Sequence, residues 1–269
     1  MLKISQYVKV SSLEEAYELN QKKNNVIIGG MHWLKMMDKM VGTAIDLSGL
    51  GLDQIVETED AFEIGCMVTL RQLEKHEGLN KYTAGAVADA VKDIVGVQFR
   101  NTATVGGSIY GRYGFSDVLT VFMALDTTVV CHADGEIPIR EFAKMPYNRD
   151  ILVKLIVKKS PIKVAYVAQR HAKTDFPILA CAVSYLNGTW NAVLGARPGK
   201  AELVADTEKM VSEAATADEA TAFGKFAAEQ LVYNTNMRGS ADYRKQITPV
   251  LVKSNAGSRK GVLMNGTEI

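Results

Sequence analysis

Two short stretches of the 269-residue chain bring glycines together in a way that could hold an anion. Gly29-Gly30 follows the apolar run Val26-Ile27-Ile28 and precedes residues at helical spacing, so free amides and a positive helix end could meet a phosphate there. Taken alone, the pair is a weak signal, and a tight strand-to-helix turn is its commoner meaning. The stretch from Gln98 to Arg112, QFRNTATVGGSIYGR, is richer. Thr104, Gly106, Gly107 and Ser108 place two hydroxyls and two close-approach glycines within five residues. That composition suits a nest of N–H donors around an anion, or an irregular packed loop. A dinucleotide's pyrophosphate draws donors from several places, so two such loops in one half of the chain favour a dinucleotide site.

Other chemistry is thinly represented. Cys66, Cys131 and Cys181 lie far apart with no C-x-x-C pair, which argues against a structural zinc or an iron–sulfur cluster held by this chain. They are expected as small buried hydrophobes in a reducing compartment. His76, His132 and His171 have no partner at ligand spacing and are expected to be ordinary surface or core residues. His32 could touch phosphate or ribose, or cap and pack beside Trp33. With 31 Lys+Arg against 30 Asp+Glu and no long basic run, the electrostatic footprint of a nucleic-acid binder is missing. The apolar stretch Val118 to Leu125 is too short to cross a bilayer, and MLKISQYVKV lacks a signal peptide's apolar centre. A soluble, cytoplasmic protein is expected.

The elements that must position the two loops follow from periodicity. Ser12-Leu13-Glu14-Glu15 has the form of a capping box and opens a helix to about Lys22. Val26 to Ile28 reads as a buried strand, and HWLKMMDKM as a helix whose methionines pack a core. Short strands are expected at Ala44 to Leu47 and Ala61 to Ile64, and helices from Thr69 to His76 and from Tyr82 to Val95. Ser116-Asp117 caps the apolar helix VLTVFMALD. Ala133-Asp134-Gly135 marks a hairpin between strands at Thr127 to Cys131 and Glu136 to Ile139. After Asp150 come the strand-like runs ILVKLIVKK, KVAYVAQRHA and ILACAVSYL, with Asn187-Gly188 turning the last into TWNAVLGA. Helices are then expected at Ala201 to Ala215, Ala217 to Val232 and Ser240 to Lys253. The fold class is α+β, with a mixed first half and an antiparallel sheet plus helices in the second.

The run GVQFRNTATVGGSIYGRYGFSDVLTVFMALD resembles the flavin-binding (medium) subunits of the molybdenum hydroxylases, the xanthine dehydrogenase and carbon monoxide dehydrogenase family. That family has R-N-x-A-T-[IV]-G-G-N-[IL], a short loop, then S-D opening an apolar helix that ends L-D. Arg100, Asn101, Ala103, Thr104, Gly106, Gly107, Ser116, Asp117 and Asp126 occupy those places. The similarity extends over essentially the whole chain. It implies a two-subdomain FAD-binding domain of the vanillyl-alcohol oxidase and p-cresol methylhydroxylase type over residues 1–158, with subdomains at about 1–55 and 56–158. A small α+β C-terminal domain is implied over 159–269. It further implies a multi-subunit enzyme with a [2Fe–2S] small subunit and a molybdopterin large subunit. FAD would pass electrons to NAD or another acceptor, and a purine, xanthine-like substrate is favoured.

Residue by residue, the resemblance assigns Val26, Ile27, Ile28, Gly29, Gly30, Met31, His32 and Trp33 to the adenine-diphosphate end of FAD. Ala103, Thr104, Gly106, Gly107 and Ser108 would face the pyrophosphate, and Ile94 and Phe99 would neighbour the adenosine half. Ser116 and Asp117 would bond the ribityl chain or ribose, and Tyr110 and Leu152 would stand beside the isoalloxazine. No side chain is assigned acid or base catalysis, and no residue is assigned to a metal. The chain departs from the family where Met31-His32-Trp33 follows the first glycine pair, and where Ser108 replaces an asparagine. Two other readings are a self-sufficient flavin oxidoreductase of the same fold and an assembly subunit that has lost FAD.

Overall fold

In chain order the elements of the computed structural model are β1 (Lys3–Lys9), α1 (Leu13–Asn20), β2 (Val26–Ile28), β3 (Met40–Asp46), β4 (Ile55–Glu57) and β5 (Ala61–Gly65). There follow α2 (Leu70–Lys75), α3 (Glu77–Tyr82), α4 (Ala86–Val91), α5 (Val97–Arg100), α6 (Val105–Tyr110) and α7 (Asp117–Met123). Then come β6 (Thr127–Cys131), β7 (Gly135–Pro138), α8 (Ile139–Phe142), β8 (Leu152–Lys158), β9 (Ile162–Gln169) and β10 (Leu179–Leu186). The last are β11 (Thr189–Gly195), β12 (Glu202–Ala205), α9 (Ala217–Gln230) and α10 (Ala241–Ala256). The structure describes residues 1–257. Contacts group them into two units interleaved along the chain: 1–72, 97–111 and 127–157 in the first, and 73–96, 112–126 and 158 onward in the second.

The first unit holds two sheets. In the three-stranded sheet, ordered β1-β3-β2, both pairings are parallel. Its central strand buries Val41, Ala44 and Ile45, as a strand covered on both faces must. The link from β2 to β3 runs through Gly29-Gly30 and a single 3-10 turn, Leu34–Met36. The helix expected there does not form, and its methionines do not pack a core: Met36 is 72% exposed and Met40 65%. Helical spacing without an apolar partner surface does not hold a helix in water. The five-stranded sheet, ordered β4-β5-β8-β6-β7, takes in β8, the first of the strand-like runs after Asp150. Both β1 and β4 escape the sequence reading, because β1 is exposed along nearly its whole length and shows no alternation.

The second unit is built on the antiparallel sheet β12-β11-β10-β9. The Asn187-Gly188 turn has φ of 51° and 78°, the two left-handed residues a tight hairpin requires. Leu179, Cys181, Val183, Ala192 and Leu194 from the sheet share one core with Phe223, Ala227, Leu251 and Val252 from α9 and α10. A Cβ at Gly224 would come within 2.6 Å of the Pro249 Cα, so the glycine sets how closely these two helices cross. Two expected helices are corrected. The one from Tyr82 to Val95 shortens to α4, because Tyr82 ends α3 and Ala84 and Gly85 have φ of 49° and 84°, which no helix accommodates. The one at Ala201 to Ala215 is instead β12 followed by turns, where the Asp206 carboxylate accepts from the amides of Met210 and Val211 at 2.9 Å each.

Candidate functional site

The first unit encloses a cavity of about 290 Å³. β2 contributes one wall through Val26, Ile27 and Ile28, and the chain leaves that wall at Gly29. Thr104, Gly106, Gly107 and Tyr110, from α6 and its cap, line it from another segment, and Leu47, Cys66, Met67 and Leu152 add apolar surface. A polar group comprising Asn20, Asn25, Lys39, Asn148, Arg149 and Asp150 completes it. The volume sits at the low end of the roughly 300–1,000 Å³ usual for small-molecule sites. It suits part of a dinucleotide.

The two glycine loops are clasped together. A Cβ at Gly30 would stand 2.2 Å from the Thr102 carbonyl oxygen, and one at Gly29 would stand 2.6 Å from the Thr104 hydroxyl. Gly106 presses on Cys66 in the same way, its hypothetical Cβ 2.8 Å from the Cys66 carbonyl oxygen. At Gly30 and Gly106 backbone meets backbone, whereas at Gly29 the backbone meets the Thr104 side chain. The His32 ring adds a stitch: Nε2 contacts the Thr102 hydroxyl at 2.8 Å, and the ring stacks on Phe99 with centroids 3.8 Å apart. Desolvation, with a smaller push from Lys35, lowers the His32 pKa below the usual histidine value and keeps the ring neutral at neutral pH.

The amides divide unequally between the loops. At the start of α6 every early N–H is already engaged. Val105 donates to the Val68 carbonyl at 2.8 Å and Gly106 to the Cys66 carbonyl at 2.8 Å. Gly107 donates to the Thr104 hydroxyl at 3.2 Å, and Ser108 to the Thr104 carbonyl at 3.1 Å. The Ser108 hydroxyl also points back to that carbonyl at 3.0 Å. In the first loop the amides of Gly30, Met31 and His32 donate to no acceptor among the described residues. Met31 has φ 59°, so three successive unpaired N–H groups straddle a left-handed residue, the geometry of an anion nest. The first loop therefore fits a phosphate, and the second braces it.

Of the residues singled out from sequence, Val26, Ile27, Ile28, Gly29, Thr104, Gly106, Gly107, Tyr110 and Leu152 share the cavity wall. Gly30, Met31, His32, Trp33, Phe99, Ala103 and Ser108 belong to the same unit but are not among the residues that line the cavity. Ile94, Ser116 and Asp117 belong to the second unit. There the Ser116 hydroxyl caps α7 by accepting from the Leu119 amide at 3.1 Å. Asp117 is 5% exposed and accepts from Arg170 at 2.8 Å and from the Tyr166 hydroxyl. Burial pushes its carboxyl up while Arg170 pulls it down, and burial together with Asp117 raises the Tyr166 phenol well above its ordinary value. The Tyr110 hydroxyl donates to Asn148, at 2.6 Å to the backbone carbonyl, beside the cavity.

Sequence reasoning passed over Asn20, Asn25 and the triplet Asn148-Arg149-Asp150. The available signal was a block of polar residues just ahead of the apolar run of β8. The Asp150 carboxylate accepts from the amides of Ala133, Asp134 and Ile151 at 3.0, 2.8 and 2.7 Å, fixing the β6–β7 turn against the start of β8. Among the described residues no group of His, Cys, Asp and Glu could hold a metal, and no helix is long and apolar enough to cross a membrane.

Comparison with known proteins matches residues 2–160 to the model of the FAD binding domain in molybdopterin dehydrogenase. Protein YgfM of Escherichia coli K12, itself uncharacterized, is 26% identical over 258 residues, covering 93% of this chain and 94% of its own. The nicotine 6-hydroxylase medium subunit of Paenarthrobacter nicotinovorans is 26% identical over 277 residues, covering 94% and 97%. A solved chain of carbon monoxide dehydrogenase from Hydrogenophaga pseudoflava superposes with a TM-score of 0.83 at 22% identity, over 94% of this chain and 96% of that one. With more than half of its length matched to the family's defining domain, this chain belongs to the FAD-binding domains of the molybdopterin dehydrogenases, and its cofactor is FAD.

Proposed function

We propose that the chain is the FAD-carrying electron-transfer subunit of a multi-subunit molybdenum hydroxylase. The observation that carries this reading is the cavity walled by β2 and α6, with a row of unpaired amides where the strand ends. Those amides suit the pyrophosphate of FAD, and the apolar flanks Ile28, Leu47 and Leu152 suit a ring. In this reading Thr104 and Gly107 approach the pyrophosphate as wall rather than as amide donors. Tyr110 and Leu152 stand beside the isoalloxazine. FAD, when bound, supplies two-electron and one-electron redox steps, and the chain's residues hold, orient and enclose it. The partners proposed are a small subunit with [2Fe–2S] clusters and a large molybdopterin subunit. The acceptor proposed is NAD, and the substrate of the complex a purine. Similarity to a medium subunit over nearly the full length supports a hetero-oligomer.

Two measurements test this. The purified chain is expected to show flavin absorption near about 450 nm and to release FAD on denaturation. Isolation from its native cells is expected to bring down a cysteine-rich small subunit and a molybdenum-containing large one. A flavin-bound chain that reduces its acceptor unaided, with no such partners, would contradict the reading and favour a self-sufficient oxidoreductase.

A further inference from the structure

Arg149 is a cavity residue whose chemistry the family assignment leaves unused. Its guanidinium closes the turn between α1 and β2: Nη2 donates to the carbonyls of Lys22 at 2.8 Å and Asn25 at 2.7 Å. Nε donates to the Asn20 carbonyl, and Nη1 reaches the Lys23 carbonyl at 3.5 Å. All three nitrogens thus aim at the turn, while the residue still lines the cavity. No carboxylate pairs with it among the described residues. A planar cation whose edge is engaged has only its face to offer a ligand, and a guanidinium face stacks on aromatic rings.

The position of this face along the cavity is set by β2. Asn25, held by Arg149, lies four residues before Gly29. At about 3.3 Å per residue the two are roughly 13 Å apart along the strand. Phosphates at the amides after Gly29 leave an attached nucleoside that distance to extend along the cavity that Ile28 and Leu47 line. We propose that Arg149 offers its guanidinium face as the shelf for the adenine ring of FAD, making it a determinant of purine preference. The proposal rests on the FAD reading above.

Equilibrium titration of the apo full-length chain with FAD, ADP, UDP and FMN tests it. The wild type is expected to bind ADP about tenfold more tightly than UDP, the order of one desolvated cation–π contact. Arg149→Met and Arg149→Lys are both expected to lose most of that preference, since neither side chain has a flat cationic face. A residue that only braced the turn would weaken ADP and UDP alike, so an unchanged ADP-to-UDP ratio in the variants would overturn the proposal. So would a wild type without the preference, a measurement that needs no variant to fold. Loss confined to FMN would place the shelf under the isoalloxazine and equally overturn it. A wild type that binds neither FAD nor ADP would instead overturn the FAD reading itself.

Discussion

Gly30 has no room for a side chain: a Cβ there would stand 2.2 Å from the Thr102 carbonyl oxygen, and backbone cannot yield as a side-chain tip can. Gly30→Ala is therefore expected to cost about 2–3 kcal/mol in urea unfolding, the upper range for overpacking. At Gly107 a Cβ would meet only the Thr104 hydroxyl at 3.3 Å, and Gly107→Ala should stay within about 1 kcal/mol of wild type. From sequence both positions looked alike, as glycines near an anion. What separates them is contact across some seventy residues of chain, which spacing does not encode. Cys66 gives a prediction with a sign. Burial pushes its thiol up to about 12 from 9.0, so the thiolate is disfavoured in the folded state. The stability this group contributes is full below about pH 9 and is lost as pH rises toward 12, by up to about 4 kcal/mol at ~1.36 kcal/mol per unit. Urea midpoints of wild type and Cys66→Ala should therefore converge between about pH 9 and 12. In keeping with the burial of all three cysteines, a thiol reagent at pH 8 should label none in the native protein and three after denaturation.

Among the elements, those announced by a local rule are legible and those made by tertiary pairing are not. The Ser12 cap accepts the Glu15 amide at 3.1 Å, and Thr69 and Gln72 bond reciprocally at the start of α2, as their spacing announced. The Asn187-Gly188 hairpin formed for the same reason. By contrast β1 is an exposed strand held by its parallel pairing with β3, and the helix expected at 201–215 gave way to β12 pairing with β11. In the second unit α9 and α10 meet where Gly224 lies on Pro249. Gly224→Ala is expected to lower the melting temperature by several degrees, because the added methyl must push two packed helices apart. An undiminished melting temperature would mean the crossing is looser than 2.6 Å implies.

For the molecule as a whole, the family was legible because a long joint pattern, from Arg100 to Asp126, survives in one piece. The interleaving of the units was not, since residues 73–96 and 112–126 join the C-terminal part through contacts distant in sequence. The division of labour between the glycine loops was hidden for the same reason: the α6 amides are engaged by carbonyls of Cys66 and Val68, far upstream. That division is the central claim about how the chain holds FAD, and amide hydrogen exchange reads it directly. In the apo chain the amides of Gly30, Met31 and His32 should exchange fast and those of Val105, Gly106 and Gly107 slowly. Saturating FAD should protect the first set strongly and leave the second nearly unchanged. Protection gained at Val105 to Gly107 with Gly30 to His32 still exchanging fast would contradict the account.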